Sequence, residues 1–392
     1  MVVELPQTAL GDFYTTTVNE SLEKYPIDLY FCENCSHVQL LDVVSPEVLF
    51  HENFTYMPSN NKSVINHFVR YAEYVLEYID SSPSFCVDIG SNDGLFLSIL
   101  KEKSRCTVLG IDPAKAPAEY AQAQGIETWI EFFDYKVVAR VLDRFGNADV
   151  VIANNVFAHI DNLVDVADNI ARLLKPNGFF IFEISYLLDV VKKGLLGTVF
   201  HEHLSYHSLH SLIPFLKRAG LQLVTAKPVE TQGGALIGLA QKSTSATPSP
   251  AIATLLEQER LHQIDQKHGM ENFRDRIHQD RRALTKILAN MEEGQRVVGF
   301  GASRSANLFI EFYELGKKLD YIVDDNEIKK GKFTSNGSVP IYGMSAMEER
   351  VADYVIILAW VHTEKLTQVL FDRFPGIRVI SLFPEIAVLQ KN

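Results

Sequence analysis

Cysteine is scarce in this chain, with four among 392 residues: Cys32, Cys35, Cys86 and Cys106. That is too few for a disulfide scaffold at this length and points to a reducing compartment, the cytoplasm. Nowhere do apolar residues approach the ~20 in a row that a membrane helix requires. The opening MVVELPQTALGD also lacks the basic-then-apolar layout of a signal peptide, so no membrane partner is expected. Positive charge is in deficit too, 37 Lys and Arg against 49 Asp and Glu, a net −12. An acidic chain repels a polyphosphate backbone, which argues against nucleic acid as a partner but leaves room for a small anion in a local pocket.

What is present is an ordinary globular mix, 47% hydrophobic and 22% charged, long enough for two to three domains. Residues 1–63 are turn-rich, with short extended runs on either side of a CxxC. From Val64 apolar residues recur at helical spacing in VINHFVRYAEYVLEYI, and then the runs FCVDIG, TVLGID, DVVIANN, GFFIFEI, LQLVTA and ALIGLA alternate with helical patterns. This rhythm predicts a parallel α/β sheet covered by helices on both faces, over residues 64–245. KSTSATPSP reads as a linker, and the charged stretch from Ile252 to about Met291 as a solvated helical connector. A second α/β unit follows, so that residues 252–392 form a third part.

The strongest motif is Val87-Asp88-Ile89-Gly90-Ser91-Asn92-Asp93-Gly94, where an apolar strand ends and the next helix opens. Glycines there let the backbone approach a ligand closely. A second strand ends at Asp112, 22 residues beyond Gly90, where an acid suits both hydroxyls of a ribose. GxGxxG is missing, and a carboxylate at Asp88 would repel a pyrophosphate yet hold the ammonium of a methionine moiety. The electrostatics therefore favour S-adenosyl-L-methionine over a dinucleotide. A third strand ends at Asn154-Asn155, at the carboxyl edge where open sheets keep their ligands, with His159 just beyond.

Phe200-His201-Glu202-His203-Leu204-Ser205-Tyr206-His207 gathers histidines and a glutamate that could supply a base and the carboxylate orienting it. HEH does not offer the i, i+4 pair of a zinc hydrolase. Cys32 and Cys35 give two of the four ligands of a tetrahedral zinc, and no second pair follows, so a structural zinc site is incomplete in this chain. In the last part Gly301, Ser303 and Arg304 belong to a Gly turn ending in hydroxyls and an arginine, suited to phosphate oxygens, and a basic loop runs through Lys332.

In order along the chain, CENCSHVQLLD, ENFTYMPSNN, VDIGSNDGLFL, NVFAHIDN, HEHLSYHSL, Gly233-Gly234, GFGASRSANLF and DDNEIKKGKF resemble the sugar C-methyltransferases that act on nucleotide-linked 4-keto deoxysugars. The resemblance implies a class I adenosylmethionine-dependent methyltransferase core, Rossmann-like, between a small zinc-knuckle-like N-terminal lobe and a C-terminal Rossmann-like lobe that helps hold the nucleotide sugar. It implies that Asp88, Gly90, Asn92, Gly94, Asp112, Asn154 and Asn155 line the methyl donor and that Glu202-His203 is the proton-abstracting pair. His159 and Tyr56 would face the sugar, and Gly301, Ser303, Arg304, Asn307 and Lys332 would serve the nucleotide. Two positions depart from the family's pattern. Phe200 stands where relatives often carry Tyr, and a start at Met1 leaves out the family's first CxxC, as a misassigned or truncated start would. The expected reaction is C-methylation next to a ketone through an enolate, with His203 as base, Glu202 orienting it and favouring its charged form, and His159 stabilising the enolate oxygen. Methylation of a hydroxyl or amine on the same fold, and nucleotide binding without chemistry, are the alternatives.

Overall fold

Strand Phe85–Ile89 is buried at all five positions. A strand with no exposed face needs cover on both sides, and helices supply it. The computed structural model describes residues 1–50, 56–79, 83–243, 245–334 and 337–391. The stretch ENFTYMPSNN falls partly outside them, at residues 52–55, while Tyr56 lies within.

In chain order the strands begin with β1 (Tyr30–Phe31) and β2 (Val38–Gln39). Then come β3 (Phe85–Ile89), β4 (Thr107–Ile111), β5 (Thr128–Trp129), β6 (Ala148–Asn154) and β7 (Leu174–Ser185). β8 (Ser205–Tyr206), β9 (Leu221–Val229) and β10 (Ala235–Lys242) follow. The last six are β11 (Val297–Phe300), β12 (Tyr321–Val323), β13 (Ile341–Tyr342), β14 (Tyr354–Ile357), β15 (Arg378–Ser381) and β16 (Ala387–Leu389).

They form three sheets among the described residues: β1-β2-β8, a seven-stranded β5-β4-β3-β6-β7-β10-β9, and a six-stranded β13-β12-β11-β14-β15-β16. In the seven-stranded sheet β3, β4, β5, β6 and β7 run parallel. β10 is antiparallel to both neighbours, which corrects the expectation of a wholly parallel sheet. LQLVTA and ALIGLA are separated by a short turn rather than a helix, and so short a link joins only antiparallel strands.

Helix Lys62–Ile79 covers one face, burying His67, Phe68, Tyr71, Ala72 and Val75 at the i, i+1, i+4, i+5, i+8 spacing of one stripe. The connector likewise has a buried stripe, with only its remaining face solvated. Helix Lys267–Ala289 sinks Met270, Phe273, Ile277, Leu284 and Leu288 into the core. On helix Pro250–Leu261, Glu259 is wholly buried and accepts from the Tyr186 hydroxyl (2.9 Å), the Leu209 N–H (2.6 Å) and His210 Nδ1 (2.6 Å).

The N-terminal segment is stitched to both later parts of the chain. β2 pairs with β8, which follows directly on the HEH run, and Thr15 bridges to Phe333.

Candidate active site

In each larger sheet the chain reverses its winding direction next to the first strand, between β3 and β6 and between β11 and β14. Crevices of this kind receive ligands at the carboxyl ends of the strands. Here both open into one cavity of about 820 Å³, lined by Asp88, Gly90, Asn92, Asp112, Asn154 and Asn155 from one sheet and by Ser303, Arg304, Trp360 and His362 from the other.

The turn after β3 is shaped by its glycines. Gly90 has φ +67°, and a Cβ there would meet Val156 Cγ2 at 2.3 Å. Asn92, also left-handed at φ +50°, donates its N–H to Asp112 Oδ2 at 2.8 Å, and Ala114 donates to Oδ1 at 2.8 Å. Asp112 therefore braces the turn while each oxygen keeps a lone pair for a ligand hydroxyl. Gly94 (φ +74°) opens helix Leu95–Ser104 and lies behind the turn, against Ala121 and Ile126, and is not in the cavity wall. Asp88 is buried; desolvation, then the neighbouring Asp112, push it up to about 8. Its Oδ1 and the Nδ2 of Asn154 are buried without a hydrogen-bond partner among the described residues. A buried acceptor and a buried donor left open in a cavity wall fit a polar, cationic ligand such as adenosylmethionine.

His203 turns Nδ1 to the carbonyl of Thr198 at 2.7 Å. Since a carbonyl only accepts, Nδ1 carries the proton and Nε2 has the free lone pair. Burial pushes this imidazole down to about 4, so it is neutral near pH 7. Its ring lies 3.8 Å from that of Phe200 and 5.1 Å from that of His159, centroid to centroid. His159 is also held well below the ordinary value, by burial and then by His203 and Arg304. Glu202 does not orient His203, contrary to expectation. It faces the last part of the chain, where Arg304 Nη1 lies 3.4 Å from its Oε1. Residues 200–203 form a turn closed by the His203 N–H on the Phe200 carbonyl at 2.8 Å, and a turn sends neighbours in sequence to different sides. His201, the other basic candidate, is spent on the Tyr25 carbonyl at 3.3 Å.

Of the residues expected to serve the nucleotide, Ser303 and Arg304 line the cavity, as does Tyr56. Gly301, Asn307 and Lys332 do not. Gly301 (φ +88°) makes the turn possible by packing against Ala359, and Asn307 holds the Leu10 carbonyl at 3.0 Å. The basic loop presents Lys329 to the cavity instead of Lys332.

Sequence reasoning missed a buried group on the cavity wall. Glu183, at the end of β7, takes His67 Nε2 at 2.5 Å and the Thr231 hydroxyl at 2.6 Å. The rule that singled out Asn154, a polar residue where an apolar strand ends, would have found it in GFFIFEIS.

The Cys32 and Cys35 thiols are exposed, and among the described residues no group of three or more His, Cys, Asp or Glu could hold a metal. His37, the nearest histidine in sequence, is half-buried against His207 and lies 3.2 Å from the Ser205 hydroxyl. The residues present do not fit a closed four-ligand zinc site.

Three family models match in succession: "Putative zinc binding domain" over residues 1–50, "Methyltransferase domain" over 65–226 and "C-methyltransferase C-terminal domain" over 230–374. The C-methyltransferase NovU of Streptomyces niveus is 29% identical over 346 residues, 87% of this chain and 82% of that one. Along most of its length the chain is similar to C-methyltransferases. It is an adenosylmethionine-dependent methyltransferase with a class I, Rossmann-like core. The ubiquinone biosynthesis O-methyltransferase of Marinobacter nauticus is 27% identical over 172 residues, 38% of this chain and 69% of its own length. Among solved structures, the PH0226 protein of Pyrococcus horikoshii is similar at 16% identity and a TM-score of 0.39, covering 49% of this chain and 97% of that one. The plantazolicin methyltransferase BpumL is similar at 12% identity and a TM-score of 0.38, covering 47% and 88%.

Proposed function

We propose that this C-methyltransferase acts on a nucleotide-linked 4-keto deoxysugar, at a carbon next to the ketone, by way of an enolate. The observation that carries the reading is the single cavity joining two strand-edge crevices, with His203 on its wall between them. Asp88, Gly90, Asn92, Asp112, Asn154 and Asn155 would hold adenosylmethionine in the first crevice, with Gly94 shaping the turn behind them. Ser303 and Arg304 would meet the nucleotide in the second, and Tyr56 and His159 the sugar between them. Residues 1–63, 64–245 and 252–392 then act as lobe, methyltransferase domain and nucleotide-sugar domain.

The adjacent ketone makes the sugar C–H acidic. His203 Nε2 accepts that proton, and the C–H electron pair moves toward the ketone oxygen, where His159 stabilises the charge. Bound adenosylmethionine supplies an electrophilic sulfonium methyl to the carbon so activated. Thr198, by fixing Nδ1–H, keeps Nε2 unprotonated, and Phe200 packs on the imidazole face where a phenol would otherwise assist. No step needs a metal-bound group.

With a charge of −12 and no helix among the described residues long and apolar enough to cross a membrane, the reading is of a cytoplasmic enzyme of small molecules, with neither nucleic acid nor membrane as partner. The test is incubation with methyl-labelled adenosylmethionine and a keto-sugar nucleotide, followed by carbon NMR. Label on a sugar carbon is expected, whereas label on oxygen or nitrogen, or binding without turnover, would overturn the reading.

A further inference from the structure

Two cations stand on the C-terminal side of the cavity, Arg304 in the turn after β11 and Lys329 in the loop after β12. Neither cation faces the cavity alone. Asp12, from the N-terminal lobe, takes Lys329 Nζ on Oδ1 at 2.8 Å and Arg304 Nε on Oδ2 at 3.2 Å. One carboxylate thus spans both cations with its two oxygens, as two oxygens of a phosphate would.

We infer that Arg304 and Lys329 form the seat for the diphosphate of the substrate, and that Asp12 is an internal counter-ion filling this seat until the diphosphate displaces it. The inference deepens the nucleotide-sugar reading and rests on it.

Three observations separate a displaceable counter-ion from a part that merely holds the cations in place. First, both cations keep other anchors. Lys329 Nζ donates to the Ala302 carbonyl at 2.6 Å, and Arg304 Nη1 reaches Glu202 at 3.4 Å. Second, Asp12 is about one-third exposed and can swing toward solvent, whereas the chain around it is tied down. The Leu10 carbonyl is held by Asn307, the Tyr14 hydroxyl by the Ala302 carbonyl at 2.6 Å, and Thr15 by Phe333. A side-chain rotation is therefore enough, with no movement of the lobe. Third, the charges favour exchange. Two cations with Asp12 in place leave one net positive charge before Glu202 is counted, and releasing Asp12 restores the second for a ligand bearing two or more negative charges.

A selection rule follows. A free sugar has nothing to offer the two cations in return for the carboxylate, so it leaves Asp12 seated. A diphosphate replaces two charge-assisted bonds with at least two of its own. The site would thereby reject the unactivated sugar that resembles the reacting half of the substrate.

Inorganic pyrophosphate, which brings the charge without the base or the sugar, is the probe, titrated by calorimetry at fixed ionic strength. Asp12→Asn is the informative variant because Asn accepts the left-handed backbone of Asp12 (φ +60°) and keeps its shape while losing the charge. It should bind pyrophosphate roughly tenfold tighter than the wild type, and Lys329→Gln should bind it roughly tenfold more weakly. Adenosylmethionine affinity, measured alongside, should be the same in both and reports that each variant is folded. Equal or weaker pyrophosphate binding by Asp12→Asn would overturn the inference and make Asp12 a positioning residue. Absence of binding by wild type and variant alike at millimolar concentration would overturn the seat itself. Either failure is distinct from failure of the nucleotide-sugar reading, which the labelled-methyl experiment decides without reference to Asp12.

Discussion

His203 donates from Nδ1 to the carbonyl of Thr198 and leaves Glu202, its neighbour in sequence, to Arg304. A carbonyl fixes the tautomer as a carboxylate would, but without an added negative charge, and burial then keeps the imidazole neutral down to about pH 4. In the proposed reaction such a base is weak and always available, and the acidity of a carbon next to a ketone would make a weak base sufficient.

His203→Asn should therefore keep both ligands and lose ~10²–10⁴-fold in turnover, because Asn has no basic nitrogen. Exchange of the sugar α-proton with deuterated water, followed by NMR with a non-transferring donor analogue, separates base from bystander. A variant that exchanges at the wild-type rate would move the base to His159 or Tyr56. In the wild type the unprotonated form is active, so at saturating adenosylmethionine kcat/KM for the sugar should rise through about pH 4 and be level from there to neutrality, with no step near the ordinary histidine value.

Asp88 makes a prediction about protons. A carboxyl pushed up to about 8 is mostly protonated at neutral pH, and a bound cation favours its ionised form. Binding of adenosylmethionine near pH 7 should release up to one proton, seen as an enthalpy that varies with the buffer's ionisation enthalpy. Asp88→Asn should abolish that dependence. Asp112→Ala, by contrast, should weaken binding by roughly 1–3 kcal/mol through lost hydrogen bonds.

The Glu259–His210 contact ties stability to pH. The hydrogen bond to Glu259 raises His210 above its ordinary value, so the folded form binds its proton more tightly than the unfolded form. This contribution is fully present below about pH 6.5 and is lost as pH rises through the higher, folded value. Thermal melts across that window should show a slope that His210→Gln removes. Glu259→Ala should cost roughly 3–5 kcal/mol, because four donors lose a buried acceptor.

Zinc should be dispensable. With two exposed thiols and no metal-binding cluster among the described residues, metal analysis should find less than one zinc per chain, and a chelator should leave the melting temperature unchanged. The lobe has another source of stability: Val3, Ile27, Leu29 and Val38 are buried in the same apolar cluster as the methyltransferase core. One tightly held zinc per chain would refute this.

The sequence made the strand ends legible because an apolar run closing on a polar residue has one physical meaning in an α/β sheet. Asp88, Asp112 and Asn154 were visible on that ground, and His203 through its cluster. Partners were not visible. Whether Glu202 meets His203 or Arg304 depends on contacts across roughly a hundred residues, and Asp12 and Lys329 are 317 apart. Asn307 looked like a ligand residue because it closely follows Ser303 and Arg304, which line the cavity. Glu259 looked solvated because a charge on a polar helix usually is, and its burial depends on where the backbone N–H groups at Leu209 and His210 come to rest.

The pairing of β2 with β8 bears on how such enzymes can be recombined. β8 starts two residues after His203, so the edge beside the proposed base belongs to a strand near the beginning of the chain. A hybrid that joins the first fifty residues of one relative to the remainder of another would inherit a new backrest for the residue at the position of His203 along with the new lobe. Successful grafts would have to preserve the register of Val38 against Tyr206, and trimming the chain down to its methyltransferase domain would remove the support on which that histidine's aim depends.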